Sequence, residues 1–181
     1  VWTLILLGKF EHWQERAREE VLEVFQKNSP DFDSLNRLKT VSMIFNEVLR
    51  LYPPVPQLLR TATKEVQIGD IVLPAGVNIL IANLLLQRNE ELWGRDACEF
   101  NPERFAGGIS NATAMQSSLI PFGGGPRICI GQNFALVEAK VVISMILQRF
   151  SFKLSSSYAH APRYVIFLQP QYGAHLIIEK I

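Results

Sequence analysis

Cysteine is scarce in this 181-residue chain, which has two thiols, Cys98 and Cys129, with 30 residues between them, no CxxC pair and no histidine at zinc-finger spacing. A disulfide framework is thereby excluded and a reducing environment is expected, a Cys98–Cys129 bridge being the one cross-link the chain permits. Net charge is equally sparse. Eighteen Lys and Arg stand against 17 Asp and Glu, with no basic run, so no nucleic-acid partner is expected. Long apolar stretches are missing too. The best candidates, residues 79–86 and 141–147, fall short of the roughly 18 residues a bilayer span needs and are interrupted by Asn83 and Ser144. No initiator methionine or signal segment opens the sequence, and residues 1–7 read as the end of a helix already under way; a fragment of a longer protein is expected.

A composition of 48% hydrophobic and 19% charged residues is that of a globular protein, and 181 residues are enough for a sizeable core. In HWQERAREEVLEVFQK, residues 12–27, Trp13, Ala17, Val21 and Phe25 recur at steps of four, the pattern of an amphipathic helix ended by Asn28, Ser29 and Pro30. A second helix is predicted over residues 38–51, stopped by Pro53 and Pro54. Strands over 58–62, 66–68, 71–73 and 77–82 read as a small meander. One or two helical turns follow within 84–91, then a loop-rich stretch to Met115. From 133 to 150, Phe134, Val137, Val141 and Met145 draw a wide apolar stripe that predicts a buried helix. Residues 164–168 and 174–178 flank Pro170–Gln171–Tyr172–Gly173 and read as a closing hairpin. The fold class is mainly α with small β-sheets.

The chemistry concentrates in PFGGGPRICIG, residues 121–131. A phosphate loop would need GxxxxGK[ST], and no Gly-Lys follows; GxGxxG fails because Ile128 stands where the third glycine belongs. Two alternatives stay open for Cys129. One is a small buried thiol without function. The other is a metal ligand, since a cysteine just ahead of a helix has its anionic form favoured by the helix dipole and by amides turned toward sulfur, a turn that Gly123, Gly124 and Gly125 free the backbone to make. Gly131 would let the chain pass beneath a flat ligand, and Arg127 offers a cation for a ligand carboxylate.

FGGGPRICIG, residues 122–131, resembles the haem-ligand signature FxxGxRxCxG of the cytochrome P450 family, the haem-thiolate monooxygenases. The resemblance implies haem b held by Cys129 as axial iron ligand and catalytic centre, with Phe122, Gly125, Arg127 and Gly131 around it and Arg127 on a propionate. NEVLRLYPP carries Glu47 and Arg50, similar to the family's ExxR, and FNPERF carries Arg104, which in relatives completes an ion triad. Geometry adds to this. At 100° per residue Glu47 falls between Met43 and Leu51 and Arg50 beside Met43, so the pair interrupts an apolar face and is expected to be buried.

By the same resemblance Arg60 holds the second propionate, while Val55, Pro56, Gln57 and Leu58, together with Val165, Ile166 and Phe167, touch substrate. Ordinary core packing is the alternative for these apolar positions. PERFAGGIS, SYAHAP and LQPQYGAHLI are most similar to the plant branch of secologanin synthase-like enzymes, which implies plant secondary metabolism. Gln87–Arg88–Asn89 departs from the common His-Arg-Asp of relatives. Cys98 is expected to be inert, and the basic residues from Arg104 to Lys153 form either a solvated face or a landing for an acidic electron donor.

The implied activity is insertion of one oxygen atom from dioxygen into a small lipophilic substrate, with electrons passed from NADPH by a flavoprotein reductase. The implied location is the cytosolic face of the endoplasmic reticulum membrane, through an anchor outside this sequence. The competing expectations are a truncated, non-catalytic fragment unable to enclose haem and a haem carrier or electron-transfer protein.

Overall fold

The computed structural model describes residues 1–115 and 118–181. Helix α1 (Trp2–Lys9) turns at Phe10 into α2 (Glu11–Phe25), whose four-residue steps put Trp13, Ala17, Val21 and Phe25 on one buried face. Helix α3 (Lys39–Leu51) has no side-chain cap of its own. The Glu20 carboxylate of α2 accepts the Thr40 and Val41 amides at 2.7 and 3.0 Å, satisfying two of the free N–H groups every helix start leaves. Pro53 and Pro54 follow its end at Leu51, as expected of residues without an amide donor.

Four short strands follow: β1 (Leu58–Thr61), β2 (Val66–Ile68), β3 (Ile71–Leu73) and β4 (Asn78–Ile81). They do not form the expected meander. β1 pairs antiparallel with β4, and β2 pairs with β3 as a separate hairpin nested between them. The reason lies at Ala62, whose N–H donates to the Val77 carbonyl and whose carbonyl accepts from Gly76, so the outer pair is joined before the inner loop departs.

Two single-turn helices, α4 (Asn83–Leu86) and α5 (Glu90–Trp93), occupy the predicted helical stretch. Asn89 accepts the Glu91 and Leu92 amides at 2.7 and 3.2 Å, so its side chain caps the start of α5. The loop-rich segment beyond is tied by single 3-10 turns at Pro102–Phe105 and Ile109–Asn111.

Helix α6 (Gln132–Leu147) departs from its expected burial. Phe134 is 74% and Val142 51% exposed, and Met145 is exposed as well; of the helix only Ile143, Ser144 and Leu147 are buried. Its inner face packs on α2, β5 and the Ser34–Arg37 turn, while among the described residues nothing covers the opposite one. The strands β5 (Phe150–Leu154), β6 (Pro162–Tyr164), β7 (Leu168–Pro170) and β8 (Leu176–Lys180) also overturn the expected closing hairpin. β8 pairs with β5, and β6 pairs with β7 around a bend at residues 165–167. The turn after Pro170 is present but links β7 to β8, because β5 offers β8 five paired positions.

One core gathers α1, α2, α3, α6 and β5 around fully buried Ile5, Leu7, Val21, Leu38, Ile44 and Leu147. Burial of such side chains contributes about 1.5–3 kcal/mol each. Gln14 pins it at a polar point, donating to the Leu7 and Phe152 carbonyls and accepting the Phe152 amide. A smaller cluster of Trp93, Ala97, Phe105 and Ala112 sits under the loops.

Candidate functional site

The glycine loop gets its shape from two residues in the left-handed region, Gly123 (φ 77°) and Gly125 (φ 67°), where a Cβ is strained. Between them the chain doubles back, so that the Gly123 amide donates to the Ile120 carbonyl at 3.0 Å and the Cys129 amide to the Phe122 carbonyl at 2.9 Å. The Ile128 amide closes on the Gly125 carbonyl at 3.1 Å. Bonded to carbonyls within the loop, these three amides fix the position of Cys129 through its backbone.

Cys129 is free and exposed, two residues before Gly131 at the cap of α6. A Cβ on Gly131 would stand 3.8 Å from Cys129 Sγ, so the glycine keeps that flank of the sulfur clear. Cys98 is also free and exposed, and the two thiols are not bridged. Phe122 is half-buried in a small cleft lined by Leu49 of α3, Leu119, Ile128 and Leu136 of α6.

Gly123 is where the sequence-predicted residues converge. A Cβ placed on it would lie 3.7 Å from Arg60 Nη2, 3.9 Å from the Arg127 carbonyl and 3.9 Å from Leu58 Cδ1. Strand β1 therefore lies against the glycine loop. Arg60 is half-buried, its guanidinium donating to its neighbour's carbonyl, that of Leu59, at 2.9 Å, and Arg127 is exposed. Ile128, Ile130 and Phe134 add exposed apolar surface around the sulfur's helix.

Beneath the loops lies a buried ion cluster. Glu47 and Arg50 are both fully buried and meet in a two-pronged pair, Nε to Oε2 at 2.7 Å and Nη2 to Oε1 at 2.8 Å. The remaining Arg50 donors reach the Gln87, Ala97 and Glu99 carbonyls, and the Trp93 ring lies 5.1 Å from its guanidinium carbon. The Asn101 amide donates to Glu47 Oε1 at 2.9 Å. Arg104 approaches that same oxygen with Nε at 3.7 Å, an ion pair too long for a hydrogen bond, and among the described residues Nε is buried with no hydrogen-bond partner.

Sequence reasoning missed what holds Arg104. Its other nitrogens donate to the Trp93 carbonyl at 2.6 Å and to Asp96 Oδ2 at 2.7 Å. Burial works to raise the Asp96 carboxyl; hydrogen bonds from Arg104 and Asn101, with the Arg104 charge, outweigh it and hold the group below the usual aspartate value. The available signal was an acid eight residues ahead of Arg104 in GRDACEFNPERF. Asn83 was missed as well. It is fully buried and donates to the Val55 carbonyl at 3.3 Å and the Ile120 carbonyl at 3.1 Å, tying the predicted substrate segment to the entrance of the glycine loop.

Of the residues predicted to touch substrate, Pro56 is buried, Val55, Gln57 and Leu58 are half-buried, and Val165, Ile166 and Phe167 form an exposed tip between β6 and β7. The two groups sit on adjoining segments. The Leu168 amide donates to the Pro54 carbonyl at 2.9 Å, and Gln57 Nε2 donates to the Tyr164 hydroxyl at 3.2 Å.

The profile of the family described as Cytochrome P450 matches residues 1–177 of this sequence. The chain belongs to the cytochrome P450 family. Its plant relatives include cytochrome P450 CYP72A219 of Panax ginseng at 59% identity, cytochrome P450 72A15 of Arabidopsis thaliana at 57% and 7-deoxyloganic acid hydroxylase of Catharanthus roseus at 54%. Each is matched over all 181 residues, yet the chain spans only 35% of the length of these cytochromes P450. Helices outweigh strands here, 41% to 17%, in keeping with part of a cytochrome P450 fold. Among the described residues no helix is long and apolar enough to cross a membrane.

Proposed function

We propose that residues 1–181 are the carboxy-terminal portion of a single cytochrome P450 domain, and that the full-length protein is a haem-thiolate monooxygenase. The observation that carries this is the exposed Cys129 sulfur ahead of α6, with Arg60, the Arg127 backbone and Leu58 gathered around Gly123.

The residues present fit haem b. Cysteine is a soft donor suited to iron, Gly131 leaves the flank beside the sulfur free of a side chain, and Ile128, Ile130 and Phe134 supply apolar surface for a porphyrin. In this assignment Cys129 would hold the iron through its sulfur, Phe122 would pack near it, and Arg127 and Arg60 would offer their charges to the cofactor's carboxylates. Bound there, the cofactor would supply dioxygen activation and insertion of one oxygen atom into substrate, chemistry that an anionic sulfur donor favours. The protein's own part is to hold and orient. Glu47, Arg50 and Arg104 lock α3 to the loops so that the glycine loop keeps its place. Val55, Pro56, Gln57 and Leu58, with Val165, Ile166 and Phe167, orient a small lipophilic molecule.

Electrons come from NADPH through a flavoprotein reductase, whose docking the basic residues between Arg104 and Lys153 favour. The enzyme acts at the cytosolic face of the endoplasmic reticulum membrane, anchored by sequence outside this segment. One relative is named for hydroxylating 7-deoxyloganic acid, which supports hydroxylation of a plant metabolite as the reaction class.

A second reading has its own support. With Cys129 exposed and one face of α6 uncovered among the described residues, these 181 residues by themselves fall short of enclosing a porphyrin, so isolated they are a non-catalytic fragment. Carbon-monoxide difference spectroscopy of the full-length, haem-loaded protein tests the assignment. A thiolate-type Soret band that disappears in Cys129→Ser is expected; its absence in folded, haem-replete protein, or its persistence in the serine variant, removes the proposal.

A further inference from the structure

The hairpin of β6 and β7 is a poor structure on its own. It has three paired positions, and one of them sets Pro162 against Pro170, neither of which has an amide to donate. Two-stranded hairpins are marginal in water even with full pairing. Yet this one carries three consecutive exposed apolar residues, Val165, Ile166 and Phe167, at its bend. Its position therefore depends on what ties it to the rest of the chain.

Apart from the Gln57–Tyr164 hydrogen bond at 3.2 Å, the ties converge on one cluster. The Trp2 ring of α1 stacks on Tyr52 just beyond α3, with centroids 4.3 Å apart and planes 15° from parallel. The same indole donates its N–H to the Leu168 carbonyl at 2.9 Å, while the Leu168 amide donates to the Pro54 carbonyl. From the other side, His160 lies between two phenols, Nε2 3.1 Å from the Tyr52 hydroxyl and Nδ1 2.9 Å from the Tyr158 hydroxyl. Arg88 backs the cluster, donating to the Leu51 carbonyl at 2.6 Å with its guanidinium carbon 5.5 Å from the Tyr52 ring centre. Trp2 thus grips one arm of the hairpin and His160 the segment entering the other, and both grips pass through Tyr52, three residues before Val55.

We propose that Trp2, Tyr52 and His160 are positioning residues that set the distance between the 55–58 segment and the 165–167 tip, and thereby the size of ligand the site admits. The proposal rests on those two segments facing substrate, as assigned above. Neutral imidazole suits the role because one ring nitrogen donates and the other accepts, so it bridges two hydroxyls in a fixed geometry. Burial, with Lys9 and Arg88 nearby, lowers the His160 pKa and keeps the ring in that form. The hydroxyls of Tyr52 and Tyr158 complete the groups that face it.

The test uses the full-length, haem-loaded protein carrying this segment and two azoles of different size, imidazole and 4-phenylimidazole. Trp2→Phe and Tyr52→Phe keep an aromatic ring but lose the indole N–H or the hydroxyl. We expect amides of residues 161–171 to exchange with deuterium about three- to tenfold faster in each, the factor one lost hydrogen bond represents. We also expect the ratio of the two azole dissociation constants to shift about threefold or more, His160→Leu to shift it likewise, and His160→Gln, whose amide still donates and accepts, to restore it. Unchanged exchange in the hairpin overturns the proposal. So does faster exchange with an unmoved azole ratio, since that is what a merely structural clasp gives. Phe167→Ala separates the underlying assignment: if it leaves the ratio untouched, the tip does not face the ligand and the proposal falls with that reading, whereas a shift in Phe167→Ala alone condemns only the positioning cluster.

Discussion

Glu47 and Arg50 face each other one helical turn apart, with two hydrogen-bonded contacts at 2.7 and 2.8 Å and no exposure of either side chain. An exposed pair at this spacing contributes a few tenths of a kcal/mol. A buried one behaves differently, because removing one partner leaves a charge stranded in low dielectric.

Glu47→Ala is therefore expected to destabilise the protein by about 3–5 kcal/mol. In that variant Arg50 keeps its three backbone carbonyls but loses its counter-charge, and Asn101 loses its acceptor. Denaturant unfolding and haem content of the full-length protein measure the effect, and normal haem occupancy would refute the structural role given to the cluster.

The three adjacent glycines of the loop should respond unequally. Gly123→Ala and Gly125→Ala place a Cβ at φ 77° and 67°, which costs about 1–2 kcal/mol each. Gly124 has φ −157° and open space around its Cα, so Gly124→Ala should be near neutral. Equal losses at all three positions in a denaturant series would contradict the loop geometry.

Asp96 adds an acid limb to stability. Its folded carboxyl is held below its free value of 3.8, so on acidification the unfolded chain binds the proton first. The contribution is complete above 3.8 and is lost as pH falls through the lower folded value. Asp96→Asn should lower the melting temperature at neutral pH and flatten its decline at acid pH.

His160 acts in a higher window with the same sign. Its folded pKa is lowered, first by burial and then by Lys9 and Arg88, from a free value of 6.5. The unfolded state therefore takes up a proton before the folded state does, and stability falls as pH drops below that value. Melting temperatures between about pH 5 and 8 should lose this slope in His160→Gln; a slope unchanged in the variant assigns it to another group.

Much of the site was legible in the chain. FGGGPRICIG singles out Cys129 as the candidate ligand by local order alone, and the interruption of an apolar helical face by Glu47 and Arg50 foretells their burial. Asp96 was not legible in the same way, because an acid in a loop has no periodic face to interrupt. Its meaning depends on Arg104 folding back over eight residues to meet it. Trp2 is harder still, since its indole donates to a carbonyl 166 residues away.

By itself the sequence determined the main helices and the proline stops, because side-chain periodicity and the missing proline amide act within a few residues of the chain. Tertiary structure alone decided that β8 pairs with β5, that β1 skips to β4, and that one face of α6 is left uncovered among the described residues. A strand exposes the same backbone donors and acceptors to any neighbour, so its partner is settled by which edges packing brings within hydrogen-bonding reach.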